Sequence, residues 1–203
     1  MLRIGLTGGI ACGKSLVAGL FREHGVPVVN DDDAARDAVA PGSAALAAVV
    51  AEFGAEILLP DGSLDRPALG RRVFADNALR LRLMAITFPA IGRLVGERLA
   101  SAEASGAAMV VYESALLFEN GASDSWRPII VVRAAPEQQL ARLRARNGLS
   151  EREALDRIRS QMSVEEKAAR AEIVFDNSGG EADARRRFTA LYAELGARAA
   201  AQR

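Results

Sequence analysis

The sequence predicts an α/β fold in which a five-stranded parallel sheet is flanked by helices. Three observations carry that expectation. A glycine-rich phosphate loop, residues 8–15, sits between a short apolar segment and a helical pattern. Four more short apolar segments alternate with helical patterns, the arrangement that connects parallel strands. Residues 34–105, between the second and third strands, are almost wholly helical, far more than one crossover requires. That excess predicts an inserted helical subdomain that binds a second substrate.

The first strand is expected at residues 2–7. Gly8-Gly9-Ile10-Ala11-Cys12-Gly13-Lys14-Ser15 follows as G-x-x-x-x-G-K-[ST]. Glycines let such a loop wrap a phosphate with its N–H groups, and the next helix adds its positive N-terminus. Lys14 is expected to reach the β- and γ-phosphates, and the Ser15 hydroxyl to ligate Mg²⁺. Lys14 and Lys167 are the only lysines; every other basic side chain, apart from His24, is an arginine. Such a chain has kept the compact ammonium where phosphates want it.

The helix after the loop carries Leu16, Val17, Leu20 and Phe21 and ends at Gly25. Residues 26–29 read as a buried second strand running into Asn30-Asp31-Asp32-Asp33, with a helix expected from about Ala34. Carboxylates at a strand's C-terminal end lie where α/β sheets bind ligands, although one of them is expected to cap the helix. Within residues 34–105, Ser43 and Asp65 read as caps, Gly54 as a stop, Asp61-Gly62 as a turn, and Pro89 as a break or kink in the last helix.

The third strand, residues 107–112, ends in Glu113, placed to hold a Mg²⁺-bound water. The fourth is residues 128–133; a helix from Pro136 to about Asn147 follows, with Arg142 and Arg146 on one face. Ser150-x-x-Glu153 and Ser163-x-x-Glu166 are capping boxes. Residues 136–171 therefore read as a basic helical lid whose arginines neutralise a transferring phosphoryl group. The fifth strand is residues 172–175, and a last helix runs from Glu181 to about Ala197, with an Ala-rich end expected to fray from about Gly196.

A chain of 203 residues suits one domain, with a core at about 1–33, 106–135 and 172–203, the insertion at 34–105 and the lid at 136–171. Zero net charge argues against a nucleic-acid surface built on bulk charge. No apolar run is long enough to cross a bilayer, and strand and loop at the N-terminus leave no room for a signal peptide. The single Cys12 excludes an intrachain disulfide and reads as a small filler, in keeping with a reducing cytoplasm. His24 and Trp126 read as bland packing or capping residues.

Together these segments resemble the dephospho-CoA kinases. The likeness rests on Leu6-Thr7-Gly8-Gly9-Ile10 with Gly13-Lys14-Ser15, Val29 to Arg36, Pro41-Gly42 and Phe53-Gly54. It continues through Asp61 to Arg66, Leu116-Leu117-Phe118-Glu119, Glu165-Glu166-Lys167 and Asp176-Asn177-Ser178-Gly179. The resemblance implies a P-loop kinase fold, a helical CoA-binding region and a lid, with ATP and Mg²⁺ as cofactors and dephospho-CoA as acceptor. It implies phosphorylation of the ribose 3′-hydroxyl by a monomer or weak homo-oligomer that binds neither nucleic acid nor membrane. It places Asp32 as the base, with Arg36 and Arg142 on the transferring charge. Gly8, Gly9, Ile10, Ala11, Cys12, Gly13, Lys14, Ser15, Leu16 and Asn177 then form the nucleotide site, with Ser15 and Glu113 at the metal. The chain departs from the family pattern at four places: Asn30 for Asp, Leu16 for Thr, Phe88 before Pro89 for His, and Glu113-Ser114-Ala115 for Asp-x-Pro. The residues alone also admit a kinase for another small acceptor, a nucleotide switch, or an inactive CoA-binding paralogue.

Overall fold

The structure is a computed structural model that describes residues 1–202, the side chains of Phe74 and Ala75 excepted; Arg203, the last residue of the expected domain, lies outside the described residues. Five strands form one sheet in the order β2-β3-β1-β4-β5: β1 (Leu2–Gly8), β2 (Val28–Asn30), β3 (Met109–Glu113), β4 (Ile129–Arg133) and β5 (Ile173–Asp176). β1 pairs in parallel with β3, Leu6 opposite Glu113, and with β4, Gly8 opposite Val132. β4 pairs in parallel with β5. Val110, Val111, Ile129, Ile130, Val131 and Val132 are fully buried, as strands covered on both faces must be. Contacts divide the chain into two compact units, one of residues 1–29 and 102–202 that holds the sheet, and one of Asn30–Ser101.

In the sheet unit, α1 (Lys14–Glu23) starts directly after the phosphate loop. α6 (Pro136–Asn147) opens on its proline and stops at Gly148, and α7 (Glu151–Arg159) and α8 (Val164–Arg170) carry the expected capping boxes. α9 (Glu181–Ala201) packs on α1 through an edge-on Phe21–Phe188 contact, ring centroids 4.8 Å apart, and an Arg185–Glu23 ion pair of 2.7 Å. The expected fraying from Gly196 is corrected, because the helix continues to Ala201. Ala184, Phe188, Leu191, Leu195 and Ala199 form one buried stripe at i, i+4, i+7 spacing, so tertiary packing holds the Ala-rich turn. Trp126 is buried and stacks on Tyr112 at 4.5 Å, the packing role expected of it.

The helical unit comprises α2 (Asp31–Ala38), α3 (Ala44–Phe53), α4 (Arg66–Ala75) and α5 (Asn77–Ala104) as far as Ser101. It has its own core around Leu46, Val49, Phe53, Ile57 and Leu69. Ser43 and Asp65 cap α3 and α4 as expected, accepting from Leu46 N (3.1 Å) and Ala68 N (2.8 Å). Two expectations are corrected. Of the break or kink expected at Pro89, the break is absent: α5 runs through it as one helix. The proline is exposed, while Leu83, Ile86, Ile91 and Leu94 on either side of it pack against the core, so burial on both flanks outweighs one lost backbone hydrogen bond. α2 begins at Asp31 rather than Ala34, because Asn30 is the cap: its Oδ1 accepts from Asp33 N at 3.0 Å. None of the three aspartates caps the helix; all lie in its first turn, where the positive helix end favours them.

Candidate active site

The phosphate loop owes its shape to close approach. A Cβ on Gly8 would stand 2.4 Å from the Val132 carbonyl oxygen of the neighbouring strand. Gly13 has φ +90°, and a Cβ there would meet Asn177 Nδ2 at 2.0 Å, so both backbone conformation and space demand glycine. Two amide side chains tie down the loop's carbonyls. Gln139 Nε2 donates to Ile10 O (2.9 Å) and Asn177 Nδ2 donates to Cys12 O (2.9 Å). In a trans peptide the C=O and the following N–H point opposite ways. Pinning those two carbonyls therefore turns the N–H groups of Ala11 and Gly13 to the other side, where an anion can accept from them. Asn177 and Gln139 thus both support the loop, and Gln139 is a residue that the sequence reading missed.

Lys14 Nζ lies 2.8 Å from Glu113 Oε1. Glu113 is 2% exposed at the end of β3, and its other oxygen, Oε2, faces Arg22 Nη2 at 3.5 Å. Ser15 is exposed in the first turn of α1 and Leu16 is half-buried behind it. Arg142, on α6, is half-buried and donates from Nη2 to Asn177 O at 3.1 Å. Its Nη1 is buried with no hydrogen-bond partner among the described residues, 4.0 Å from where a Cβ on Gly13 would stand. One arginine of the expected lid pair is therefore held beside the loop. Arg146, by contrast, is exposed and bonds Asn147.

Cys12 is fully buried in the loop. Burial pushes its thiol above the ordinary range, only partly offset by hydrogen bonds from the backbone of Ala134 and Gly9 and by the Arg142 charge. A buried neutral thiol is a poor nucleophile. Iodoacetamide at neutral pH is therefore expected to leave the native chain unlabelled on the timescale that labels the urea-unfolded chain fully, read by intact mass at this single cysteine. Equal rates would show the loop open.

α8 is anchored by the second lysine. Lys167 is fully buried, its Nζ 2.9 Å from Glu119 Oε1 and donating to Ala115 O at 2.7 Å. Glu119 Oε1 also accepts from Met162 N at 3.2 Å, and Ala115 O accepts from Thr7 Oγ1 at 3.3 Å. This network ties the turn between α7 and α8 to the segment after β3 and to the end of β1. A cleft of about 340 Å³ remains between the loop (Gly9, Ile10), Gln139 and the turn around Gln161 and Glu165. The sequence marks Lys167 by its rarity and by its place in Glu165-Glu166-Lys167, neither of which tells a buried anchor from a ligand-binding residue.

In the helical unit, Arg36 Nη1 bonds Asp33 Oδ1 at 2.7 Å, one turn apart on α2. Asp31 is half-buried and Asp32 exposed. A groove of about 210 Å³ is lined by Val39, Leu64, Leu69, Val73, Leu83 and Ile91, with Arg66 at its wall. Phe88, at the position where the family pattern has histidine, is exposed on α5.

A phosphate loop between β1 and α1 of a five-stranded parallel sheet, with an acid at the end of the adjacent β3 held by the loop lysine, defines a P-loop kinase. A family model described as dephospho-CoA kinase matches residues 2–183. The chain belongs to the dephospho-CoA kinase family. It is 48% identical over 191 residues to the dephospho-CoA kinase of Geobacter sulfurreducens, covering 94% of this chain and 97% of that one. It is 43% identical to that of Arabidopsis thaliana, covering 95% and 83%. Among solved structures, TT1252 from Thermus thermophilus superposes with a TM-score of 0.82 at 38% identity, covering 96% and 97%. The dephospho-CoA kinase from Campylobacter jejuni superposes at 0.72 with 27% identity, covering 95% and 96%.

Proposed function

We propose that this chain transfers the γ-phosphate of ATP to the ribose 3′-hydroxyl of dephospho-CoA, giving CoA and ADP, the last step of coenzyme A synthesis. Family membership along nearly the whole chain identifies the reaction. The observation that carries the chemistry is the Lys14–Glu113 pair of 2.8 Å at a loop whose Ile10 and Cys12 carbonyls are tied down by Gln139 and Asn177.

Residues 8–16 hold the ATP phosphates, with Lys14 on the β- and γ-oxygens. Arg142, fixed by Asn177 O beside Gly13, adds positive charge at the nucleotide. The donors present suit Mg²⁺: the Ser15 hydroxyl would ligate it and the Glu113 carboxylate, already paired with Lys14 and Arg22, would hold one of its waters, the sparse protein coordination this ion prefers. When bound, Mg²⁺ neutralises charge on the β- and γ-phosphates. The acceptor oxygen attacks the γ-phosphorus in line, its proton passes to the Asp32 carboxylate, and the bond from the γ-phosphorus to the bridging oxygen breaks to release ADP. Of the three aspartates Asp32 suits this role best, because Asp33 is committed to Arg36 and Asp31 is half-buried. Arg36 stabilises the transferring charge once its carboxylate partner shares it. The helical unit, Asn30–Ser101, takes the acceptor, and its apolar groove with Arg66 suits a long chain carrying phosphates. Residues 136–171 act as the lid.

No helix among the described residues is long and apolar enough to cross a membrane. We place the enzyme in the cytoplasm, acting on small molecules rather than nucleic acid, as a monomer or weak homo-oligomer. The test is ADP release with Mg·ATP and, separately, dephospho-CoA, AMP, adenosine and shikimate. Rapid release with dephospho-CoA alone, with CoA as product, supports the reading. Release with another acceptor overturns the substrate, and ATP binding without release overturns the activity.

A further inference from the structure

We infer that Arg22 is a positioning residue for the phosphate loop: it holds the buried Glu113 carboxylate so that Lys14 can turn to the phosphates of ATP. The inference rests on the nucleotide site proposed above. Its basis is the charge balance at Glu113. This carboxylate is 2% exposed and is gripped on both oxygens, Oε1 by Lys14 at 2.8 Å and Oε2 by Arg22 at 3.5 Å. A buried carboxylate is tolerable only while paired. Of these two partners Lys14 is the nearer in the free protein. The incoming polyphosphate competes for the same ammonium, because it carries several negative charges and the loop delivers them to Lys14.

Arg22 resolves the competition. It lies seven residues beyond Ser15 on α1, about 10 Å down the helix axis from the phosphate end. Its side chain is 47% exposed, with the stem carrying the charge up to Glu113. From there it serves Glu113 without being drawn to ATP. A longer acid stands here than the aspartate of the family pattern, so its carboxylate reaches further from the strand, and Arg22 meets the oxygen that Lys14 leaves. The contribution of Arg22 thus appears when nucleotide binds, not in the free protein.

The test is a double-mutant cycle read by calorimetric titration of Mg·ATP and by thermal unfolding with and without nucleotide. Arg22→Met is expected to leave unfolding of the free protein little changed, since Lys14 still pairs with Glu113. It should weaken Mg·ATP binding roughly three- to tenfold, the range set by half-exposed ion pairs and by coupling between touching sites. The nucleotide-induced rise in unfolding temperature should shrink in step. Arg22→Lys should restore most of the affinity. In a Glu113→Gln background, with no carboxylate left to hold, Arg22→Met should change affinity no further. An equal loss in that background would show a general charge effect and overturn the inference, as would unchanged affinity in the single variant. A fall in stability of the free protein with no change in affinity would assign Arg22 a purely structural role and overturn it too. Failure of the unmodified chain to bind ATP would instead overturn the nucleotide site on which the inference rests.

Discussion

Asp32→Asn is expected to lower turnover about 10²–10⁴-fold while ATP still binds, the range for removing a general base. The substitution suits the test because it removes a charge and a proton acceptor but almost no volume. Asp32 is exposed in the first turn of α2, where Asn30 does the capping, so helix and cap survive the change. The neighbours act as controls. Asp33→Asn breaks only the 2.7 Å pair with Arg36, between two groups that are both more than half exposed, and such a pair is worth little. Its effect on turnover should therefore be much smaller than that of Asp32→Asn. ADP release at saturating dephospho-CoA, with ATP affinity measured separately, reads both variants. Unchanged turnover in Asp32→Asn would remove it as base; a larger loss in Asp33→Asn would move the base one residue along.

The parts of this molecule legible in the sequence are those set by local chemistry. The phosphate loop, the Ser43 and Asp65 caps, the Gly54 and Gly148 stops and both capping boxes depend on residues within a few positions of one another. Local pattern misleads where a distant partner decides. Pro89 reads as a breaker until Ile86 and Ile91 are seen packed against the core of the helical unit. The Ala-rich end of α9 reads as frayed until Ala199 is found buried. At α2 the cluster of aspartates drew attention from Asn30, whose amide oxygen caps as well as a carboxylate would; that explains how asparagine can replace the family's aspartate there without loss of the helix start. In the site, Lys14, Ser15 and Glu113 are identifiable from motif and strand position. Gln139, Arg22 and Lys167 are not, because their partners Ile10, Glu113 and Glu119 are 129, 91 and 48 residues away in the chain.

Lys14→Met should have two separable consequences, and the distinction tests the account of the loop. Removing the cation from the β- and γ-phosphates should cost about 10²–10³-fold in turnover, as loss of one preorganised electrostatic group does. It should also destabilise the free protein, because Glu113 at 2% exposure loses its nearer partner. Stripping one member of a fully buried pair costs roughly 3–5 kcal/mol, but Arg22 stays at Oε2, so a loss on the order of 1–3 kcal/mol is expected. For a chain of this size that is a fall of several degrees in unfolding temperature. Adding Glu113→Gln to Lys14→Met removes the buried charge and should return most of the lost stability. It should not return turnover, since the phosphates still lack their lysine. Lys14→Arg sharpens the separation: a guanidinium can still face Glu113, but its planar fork does not reproduce a compact ammonium among phosphates, so stability should exceed turnover in its recovery. Thermal unfolding and ADP release on the same three preparations decide the matter. Recovery of turnover along with stability in the double variant would mean that Lys14 acts only by neutralising Glu113, and the phosphate contact would have to be assigned elsewhere.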